Sequence, residues 1–275
     1  MEYEDRVHEP KYNCLLFDVD DTLYPYSSGV SAQCTRNINE YMISRLSSDK
    51  SLWILEYMIQ TLGIEEIKVP EMCVQLYKDY GTTMAGLRAM DYDFDYDDYH
   101  SYVHGRLPYD ILKPDPVLRN LLQSLPLRKV IFSNANDAHV AKVLNILGLE
   151  DCFEEIITFE SLNPKHNSNE SERDSEIPKT PIVCKPFEEA FEQAFKIAGI
   201  EPKKTLFFDD SIRNLQTAKH MGLGTVWVGA ANSTVGIDYA LESIHNMKEA
   251  IPEIWEAVHN SDVHYPEKTP IAVIS

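Results

Sequence analysis

Five short apolar runs along the chain have the length of buried strands. They are CLLF (14–17), KVIF (129–132), EIITF (155–159), TLFF (205–208) and GTVWV (224–228). Stretches with apolar residues at three- and four-residue spacing lie at 114–124, 137–148 and 211–221. Nearly continuous apolar strands that alternate with amphipathic helices are typical of a parallel sheet with helices on both faces. The pattern therefore predicts an α/β fold with a parallel sheet of about five strands.

Between the first and second apolar runs, the spacing changes to that of helices alone. These helices are predicted at 31–46, 51–62 and 68–80. A proline-rich segment, 105–116, marks the return to the alternating pattern. We therefore predict that residues 1–25 and 108–275 form the α/β core, and that residues 26–107 form a helical domain inserted into it.

Two further segments have unusual compositions. Residues 91–100 (DYDFDYDDYH) alternate acidic and aromatic side chains. One interpretation is an aromatic wall that contacts the base or sugar of a ligand, and the other is a solvated, acidic helix start with its aromatic rings packed beneath. The second use of such a pattern is the more common one. Residues 163–180 are polar and nearly free of apolar side chains, which predicts a surface loop.

The charge balance excludes several classes of partner. The chain carries 25 Lys and Arg residues against 44 Asp and Glu residues, a formal net charge of -19. Nucleic acid polymers and anionic membranes both require clustered basic residues, so we expect neither as a partner. No apolar run approaches the roughly 18 residues of a membrane span. The composition gives no indication of the oligomeric state.

The N-terminal segment and the cysteines bear on the compartment. The first 13 residues are charged and have no apolar core, so we expect no secretory signal peptide. The five cysteines are odd in number, scattered, and free of C-x-x-C spacing, which predicts reduced thiols and no zinc site. We expect a cytoplasmic protein, with the nucleus as the other compartment that fits.

Carboxylates follow two of the predicted strands. Asp18 and Asp20 come directly after CLLF, and Asp209 and Asp210 follow TLFF. The carboxyl ends of parallel strands share one edge of the sheet, where ligands collect, so these groups should lie close together. Magnesium prefers carboxylate oxygens with water and phosphate oxygens. A lone D-x-D is often a turn, but two acidic strand ends together favour a magnesium site.

Three other polar residues occupy positions suited to anion binding. Ser133 and Asn134 follow KVIF just before a predicted helix, where they could bind an anion or cap the helix. Lys185 precedes a proline and another amphipathic stretch, so it is either a simple exposed lysine or a fixed positive charge in the crevice. The nine histidines are dispersed; His100 and His104 share a helical face, but we expect structural roles for them all.

In chain order, these groups resemble the four motifs of the haloacid dehalogenase-like (HAD) hydrolase superfamily. The matching segments are DVDDT (18–22), Ser133, Lys185 and DDSIRN (209–214). The resemblance covers about 12–23 and 105–230. It implies a Rossmann-like core, and the insertion at 26–107 is similar to the helical cap domain that covers the active site in that superfamily.

Longer phrases resemble the pyrimidine 5'-nucleotidase branch and its plant and fungal relatives. They are HGRLPYDILKPDPVLRNLL, VIFSNANDAHVAKVLNILGLEDCFEEII and LFFDDSIRNLQTAKHMGLGTVWVG. The resemblance implies a magnesium-dependent phosphomonoesterase that acts on a small phosphorylated metabolite, a pyrimidine nucleoside 5'-monophosphate. Two alternatives remain: a phosphatase of the same superfamily for a sugar phosphate or phosphoglycolate, and a catalytically silent binding or regulatory protein with the same fold.

The resemblance also implies roles for individual residues. Asp18 would attack phosphorus and form an aspartyl-phosphate, and Asp20 would protonate the leaving oxygen and later take a proton from water. Dehalogenases of the superfamily lack the second aspartate, so its presence favours a phosphatase. Ser133 and Lys185 would bind the phosphoryl oxygens, with Asn134 as a further candidate.

A second group of implied roles concerns the metal. Mg2+ would be held by the carboxylates of Asp18 and Asp210 and by the backbone carbonyl of Asp20. Asp209 would lie beside the ion. Asn214 would support the loop that carries these ligands.

Overall fold

Six parallel strands form one sheet in the parts of the chain that the computed structural model describes, residues 10–46, 69–164 and 182–255. The strands are β1 (Cys14–Phe17), β2 (Arg128–Phe132), β3 (Glu155–Ile157), β4 (Thr205–Asp209), β5 (Gly224–Val228) and β6 (Tyr239–Leu241). Their order is β3-β2-β1-β4-β5-β6, and each neighbouring pair is parallel. The predicted Rossmann-like parallel α/β fold is confirmed.

Two strands differ from the sequence pattern. β6 is not predicted, because its three residues are too few to distinguish from a loop and it is held only as an edge strand beside β5. β3 ends at Ile157 rather than continuing to position 159. Thr158 instead begins a helix through a capping box, in which its side chain accepts from the backbone of Ser161 and the Ser161 side chain bonds back to Thr158.

The described helices lie between and around these strands. They are α1 (Val30–Tyr41), α2 (Val69–Tyr80), α3 (Thr83–Ala89), α4 (Tyr96–Val103), α5 (Pro116–Gln123), α6 (Asp137–Leu147), α7 (Phe159–Leu162), α8 (Glu188–Ala198), α9 (Ile212–His220) and α10 (Met247–Ala250). The predictions at 114–124, 137–148 and 211–221 correspond to α5, α6 and α9. None of the helices in the described ranges is long and apolar enough to cross a membrane.

Alternate residues of the strands enter separate apolar cores on the two faces of the sheet. In β1, Leu15 and Phe17 pack on the face covered by α5 and α6, while Cys14 and Leu16 pack on the face covered by α8 and α9. The Phe17 ring stacks on Phe208 of β4 at 4.6 Å. All these strand residues are buried, so the sheet forms a rigid support for the residues that follow the carboxyl ends of its strands.

Helices α1 to α4 lie between β1 and β2 in the chain, where the sequence predicts helices without strands. The helix predicted at 31–46 is α1 followed by a π-helical turn, Met42–Leu46, and the one predicted at 68–80 is α2. The helix predicted at 51–62 lies outside the described residues. The assignment of 26–107 as a separate cap domain stays a prediction.

The acidic segment 91–100 is the start of a helix. Asp95 caps α4 by accepting a hydrogen bond from the backbone N–H of Asp98 at 2.8 Å. Beneath it, Phe94 packs against Tyr99 with ring centroids 5.6 Å apart. The acidic helix start with packed rings is therefore present, and contact between an aromatic ring of this segment and a ligand stays a prediction. The loop predicted at 163–180 falls almost entirely outside the described residues.

The strand order determines where side chains can meet. The chain runs from β1 outward through β2 to β3, then crosses to the other side of β1 and continues through β4 to β6. β1 and β4 therefore border the point at which the strand order reverses. Crevices of α/β sheets open there, beyond the carboxyl ends of the strands.

Candidate active site

The acidic strand ends meet where the strand order reverses. Asp18 directly follows β1, and its backbone N–H donates to the carbonyl of Phe208 in β4 at 2.9 Å. Asp209 is the last residue of β4, and its side chain is completely buried. The structure thus brings together the two acidic segments that are far apart in sequence.

A lysine ammonium lies between the two carboxylates. Lys185 Nζ donates to Asp18 Oδ1 at 2.8 Å, to Asp209 Oδ2 at 2.9 Å and to the carbonyl of Phe132 at 2.7 Å. The side chain is only 1% exposed, so the exposed-lysine interpretation is wrong. Burial opposes the charge, but the two carboxylates outweigh it and raise the pKa of Lys185 above its usual range. Lys185 is therefore a fixed cation within the crevice.

Asn134 and Ser133 lie at the end of β2, beside this lysine. Asn134 Nδ2 donates to the Lys185 carbonyl at 3.0 Å, and the Lys185 N–H donates to Asn134 Oδ1 at 2.8 Å. Ser133 Oγ accepts from the N–H of Ala135 at 3.0 Å. Neither residue caps α6, whose N-cap is Asn136. Asn134 thus holds the backbone of Lys185 in place, and phosphate binding by Ser133 and Asn134 stays a prediction.

The carboxylates outnumber the cation. Asp18, Asp209 and Asp210 each offer an oxygen within 4.8 Å of the others. Burial, together with Asp209 and Asp20 and against the opposing effect of Lys185, raises the pKa of Asp18 to about 7. Burial and the nearby carboxylates of Asp209 and Asp18 raise the pKa of Asp210 to about 8. One ammonium does not balance three carboxylates, and oxygen ligands at this spacing fit a hard divalent cation.

The two adjacent aspartates differ in their contacts. Asp209 Oδ1 accepts from the Ser211 N–H at 2.8 Å, and Asn214 Nδ2 lies 3.0 and 3.1 Å from the two Asp209 oxygens. With Lys185 on Oδ2 as well, Asp209 is fully engaged by protein groups. Among the described residues, no hydrogen bond reaches the Asp210 carboxylate. Asp210 is therefore the carboxylate of the pair that remains available to a ligand.

The loop after β1 explains the spacing of its aspartates. Leu23 N–H bonds to the carbonyl of Val19 at 2.9 Å, which turns the chain back on itself. This turn places Asp21 at a φ of 58°, a left-handed conformation that aspartate tolerates better than most residues. Thr22 Oγ1 lies 3.3 Å from Asp18 Oδ2. The tight turn therefore directs both Asp18 and Asp20 toward the crevice.

Asp20 is held by two residues that lie outside the sequence motifs, Tyr24 and His139. The Tyr24 hydroxyl donates to its Oδ1, and His139 Nε2 lies 2.7 Å from the same oxygen. Burial opposes ionisation of Asp20, but the interactions with His139 and Tyr24 outweigh it and lower the pKa of Asp20 well below its usual range. The available signal for His139 was its place in the first turn of α6, six residues after Ser133, on the apolar side of the helix where a polar residue is unexpected.

A cavity of about 450 Å³ lies above these groups, between α1 to α4 and the carboxyl edge of the sheet. We call it the active-site cavity. Asp20 and Asp21 are the charged residues of its described lining, which contains no lysine or arginine. Burial lowers the pKa of two lining histidines, His100 to about 4 and His104 to about 3, so both are neutral at physiological pH. The cavity is consequently apolar above an acidic floor.

The carboxylates and a buried lysine lie together where the strand order of a Rossmann-like sheet reverses. This places the protein among the α/β proteins with an acid-rich active-site crevice. The chain belongs to the haloacid dehalogenase-like hydrolase family, whose model matches residues 12–222. This match spans the acidic segments after β1 and β4 and Lys185, and it confirms the family resemblance seen in the motifs.

The individual relatives have low sequence identity to this chain. Phosphate metabolism protein 8 of Saccharomyces cerevisiae is 26% identical over 227 residues, which cover 79% of this chain and 62% of that protein. The chain thus spans less than two thirds of that relative's length. CbbY from Rhodobacter sphaeroides, solved in complex with phosphate, matches with a TM-score of 0.51 at 16% identity, covering 86% of this chain and 96% of CbbY. At this identity the likeness shows the fold alone.

A second solved structure is similar over most of its length. The HAD-hydrolase YfnB from Bacillus subtilis, bound to magnesium, is 19% identical with a TM-score of 0.48, covering 87% of this chain and 98% of YfnB. Membership of the pyrimidine 5'-nucleotidase branch stays a prediction.

Proposed function

We propose that this protein is a magnesium-dependent phosphomonoesterase that acts on a small phosphorylated metabolite through an aspartyl-phosphate on Asp18. The observation that carries the proposal is the contact of Lys185 Nζ with both Asp18 and Asp209, at 2.8 and 2.9 Å, beside a third carboxylate, Asp20, in the cavity wall. A nucleophile, a fixed cation and an acid-base group are the parts that phosphoryl transfer requires.

The proposed reaction has two steps. In the first, a carboxylate oxygen of Asp18 attacks phosphorus, the bond to the leaving oxygen breaks, and Asp20 gives that oxygen a proton. In the second, water attacks the phosphorus, Asp20 takes a proton from the water, and the bond to Asp18 breaks to release inorganic phosphate. Asp20 must be protonated before the first step, which the approach of a negatively charged phosphoryl group favours. Lys185 keeps Asp18 oriented and offsets negative charge in both steps.

Magnesium would be held by the carboxylates of Asp18 and Asp210 and by the backbone carbonyl of Asp20. The surplus of carboxylates over Lys185 and the raised pKa of Asp210, about 8, support this assignment. When bound, the ion supplies positive charge that lets an anionic nucleophile approach an anionic phosphoryl group. Asp209, held by Asn214, would keep the loop that carries Asp210 in position.

The metal assignment predicts the effect of Asp210→Asn on stability. In the wild-type protein, Mg2+ should raise the melting temperature, because binding at 100 times its Kd adds about 2.7 kcal/mol to the free energy of unfolding. Because the pKa values of Asp18 and Asp210 are raised from 3.8 to about 7 and about 8 in the folded protein, the metal-free protein loses stability as the pH rises from about 4 to about 8. The Mg2+ effect should therefore grow with pH. Asp210→Asn should abolish it and leave the metal-free protein at least as stable.

Thermal unfolding with Mg2+ or chelator, at several pH values, measures this directly. Asp110→Asn is the matched control, because Asp110 is exposed and lies outside the crevice, and it should respond to Mg2+ as the wild type does. A full Mg2+ response in Asp210→Asn would remove Asp210 from the metal site.

The lining of the active-site cavity favours a substrate whose leaving group carries no charge. Its described lining contains no lysine or arginine, and its only charges are those of Asp20 and Asp21. A second anionic group would be repelled there. Tyr99 and Phe159 offer aromatic surface against which a planar base can pack. We therefore place a pyrimidine nucleoside 5'-monophosphate first, a sugar phosphate second, and phosphoglycolate, which carries a carboxylate, last.

A panel of monophosphates tests this order. Phosphate release should be fastest with UMP and CMP, in a reaction that chelator abolishes. Phosphoglycolate should react about 10-fold or more slowly than 2-hydroxyethyl phosphate, a neutral compound of the same size, because about 1.4 kcal/mol of repulsion suffices for that ratio. Equal rates for this matched pair would contradict the neutral-cavity argument. No turnover of any compound by folded, Mg2+-loaded protein would favour a binding or regulatory role instead.

We also propose a cytoplasmic location, with the nucleus as an alternative. All five cysteines are free thiols in the structure, which supports a reducing compartment.

A further inference from the structure

Two hydrogen bonds fix the Asp20 carboxylate, and both reach the same oxygen. The Tyr24 hydroxyl donates to Oδ1 from the next turn of the same loop. His139 Nε2 lies 2.7 Å from Oδ1, although it is 119 residues away in the chain. Among the described residues, no hydrogen bond reaches Oδ2. The carboxylate is therefore anchored at one oxygen and open at the other.

His139 is itself held rigidly. Its side chain is 2% exposed, its Nδ1 lies 2.9 Å from the Tyr109 hydroxyl, and the His104 ring packs 4.7 Å away. An ionised carboxylate can only accept hydrogen bonds, so Nε2 must carry the hydrogen that faces Asp20. With both nitrogens engaged and one face covered, the imidazole has little freedom to turn.

His139 is a polar residue on the buried side of α6. Its neighbours on the buried side of α6 include Val140, Val143 and Leu144, all at most 1% exposed, and they fill the apolar core. Burying a polar ring among them costs free energy unless its nitrogens are hydrogen-bonded. Of its two partners, Tyr109 belongs to the apolar core and Asp20 lines the active-site cavity.

We propose that His139 and Tyr24 are positioning residues that hold Asp20 by Oδ1 and so present Oδ2 to the leaving oxygen of the substrate. The inference rests on the proposed phosphomonoesterase function and adds residues that orient its acid-base group. A general acid works only within hydrogen-bond reach of the oxygen it protonates, about 2.6–3.2 Å. A misplacement of about 1 Å costs on the order of 100-fold in rate. An unanchored Asp20 would sample several rotamers, and most would miss that oxygen.

The test compares substrates that differ in their need for a proton. An alkyl phosphate such as UMP has a poor leaving group, whose oxygen must be protonated as it departs. In contrast, 4-nitrophenyl phosphate releases a stable phenolate that needs no proton. The ratio kcat/KM reports the first step, in which the leaving group departs. In His139→Leu, kcat/KM for UMP should fall about 100-fold. For 4-nitrophenyl phosphate it should fall only a few-fold, because attack by Asp18 is unaffected.

Two further variants separate positioning from packing. His139→Gln keeps an N–H that can reach Asp20 and should recover much of the UMP activity lost in His139→Leu. Tyr24→Phe removes only the hydroxyl and should give a smaller loss with the same dependence on the leaving group. Tyr41→Phe is the matched control: its buried hydroxyl also bonds a carboxylate, that of Asp98 at 3.4 Å, but it lies outside the cavity lining. The Tyr41→Phe substitution should leave kcat/KM unchanged for both substrates.

Melting temperature and the Mg2+-induced shift are measured for every variant. Should His139→Leu fail to fold, Tyr24→Phe carries the test alone. Selective loss with UMP, with a normal Mg2+ response, supports the inference. Equal losses with both substrates, or no loss, overturn it while leaving the proposed function intact. A wild-type protein that turns over neither substrate overturns the proposed function, and the inference with it.

Discussion

The phosphatase activity of Asp18→Asn should be on the order of 10⁴- to 10⁶-fold lower than that of the wild type, because the covalent nucleophile is removed. The amide that replaces the carboxylate is a poor nucleophile and cannot form the aspartyl-phosphate. The substitution barely changes the size of the side chain, and one oxygen remains to accept the bond that Lys185 Nζ makes to Asp18 at 2.8 Å. The variant should therefore fold normally, which makes the loss a chemical effect.

Initial rates of phosphate release, with melting temperature as the check on folding, measure this loss. Wild-type protein quenched during turnover should carry phosphate on Asp18, and the variant should carry none. Asp79→Asn is the control, since Asp79 is exposed on α2 and should keep full activity. Unchanged activity in Asp18→Asn would end the enzyme interpretation and favour a binding or regulatory protein.

Lys185→Met should affect both activity and stability. The variant keeps the length of the side chain but removes the cation from between Asp18 and Asp209, whose side chains are 10% and 0% exposed. Breaking a buried ion pair by removing one partner costs about 3–5 kcal/mol, because the remaining charges stay buried without compensation. Turnover should fall by about 10²- to 10³-fold, as when one fixed donor to the phosphoryl group is lost.

Unfolding in denaturant, with and without Mg2+, separates the two effects. Added Mg2+ should restore part of the lost stability, because a divalent cation compensates the same carboxylates, but it should not restore turnover. Lys129→Met is the matched control: Lys129 Nζ bonds the carbonyls of Leu125 and Leu127, at 3.0 and 2.8 Å, at the opposite end of β2. Near-normal turnover in Lys185→Met would place Lys185 outside the catalytic machinery.

The two expected losses have a common physical origin. The crevice gathers carboxylates at a buried sheet edge, and within the described part of the chain Lys185 supplies the one ammonium that contacts them. Such an arrangement costs stability in the metal-free protein, as the raised pKa values of Asp18 and Asp210, about 7 and about 8, indicate. The same arrangement prepares the site for a divalent cation, whose positive charge offsets that cost and the negative charge of an incoming phosphoryl group.

The apolar pattern was sufficient to predict the fold class and most of the sheet. β1, β4 and β5 were located from their apolar runs because a strand buried on both faces leaves a compact signal. β6 was not predicted, because a three-residue edge strand leaves no distinct apolar pattern and forms only by pairing with its neighbour, β5. Helices α5, α6 and α9 were located because each buries one apolar face against the sheet.

The candidate site was predicted unevenly. Asp18, Asp20 and the Asp209–Asp210 pair were found because acidic residues directly after buried strands are unusual, and parallel strands must bring those ends together. Lys185 was found only as one of two interpretations, since spacing alone does not distinguish an exposed lysine from a buried one. The anchoring of Asp20 by His139 was not found at all.

The sequence by itself determined most of the strands and helices of the core, their order along the chain, and which acidic residues follow the strands, because these depend on local periodicity and composition. Only the tertiary structure decided which distant groups touch. Lys185 meets Asp18 across 167 residues, and His139 meets Asp20 across 119. Such contacts arise from strand order and from the paths of loops, and their energies depend on burial and on distances of a few ångströms. No local pattern in the chain encodes those quantities.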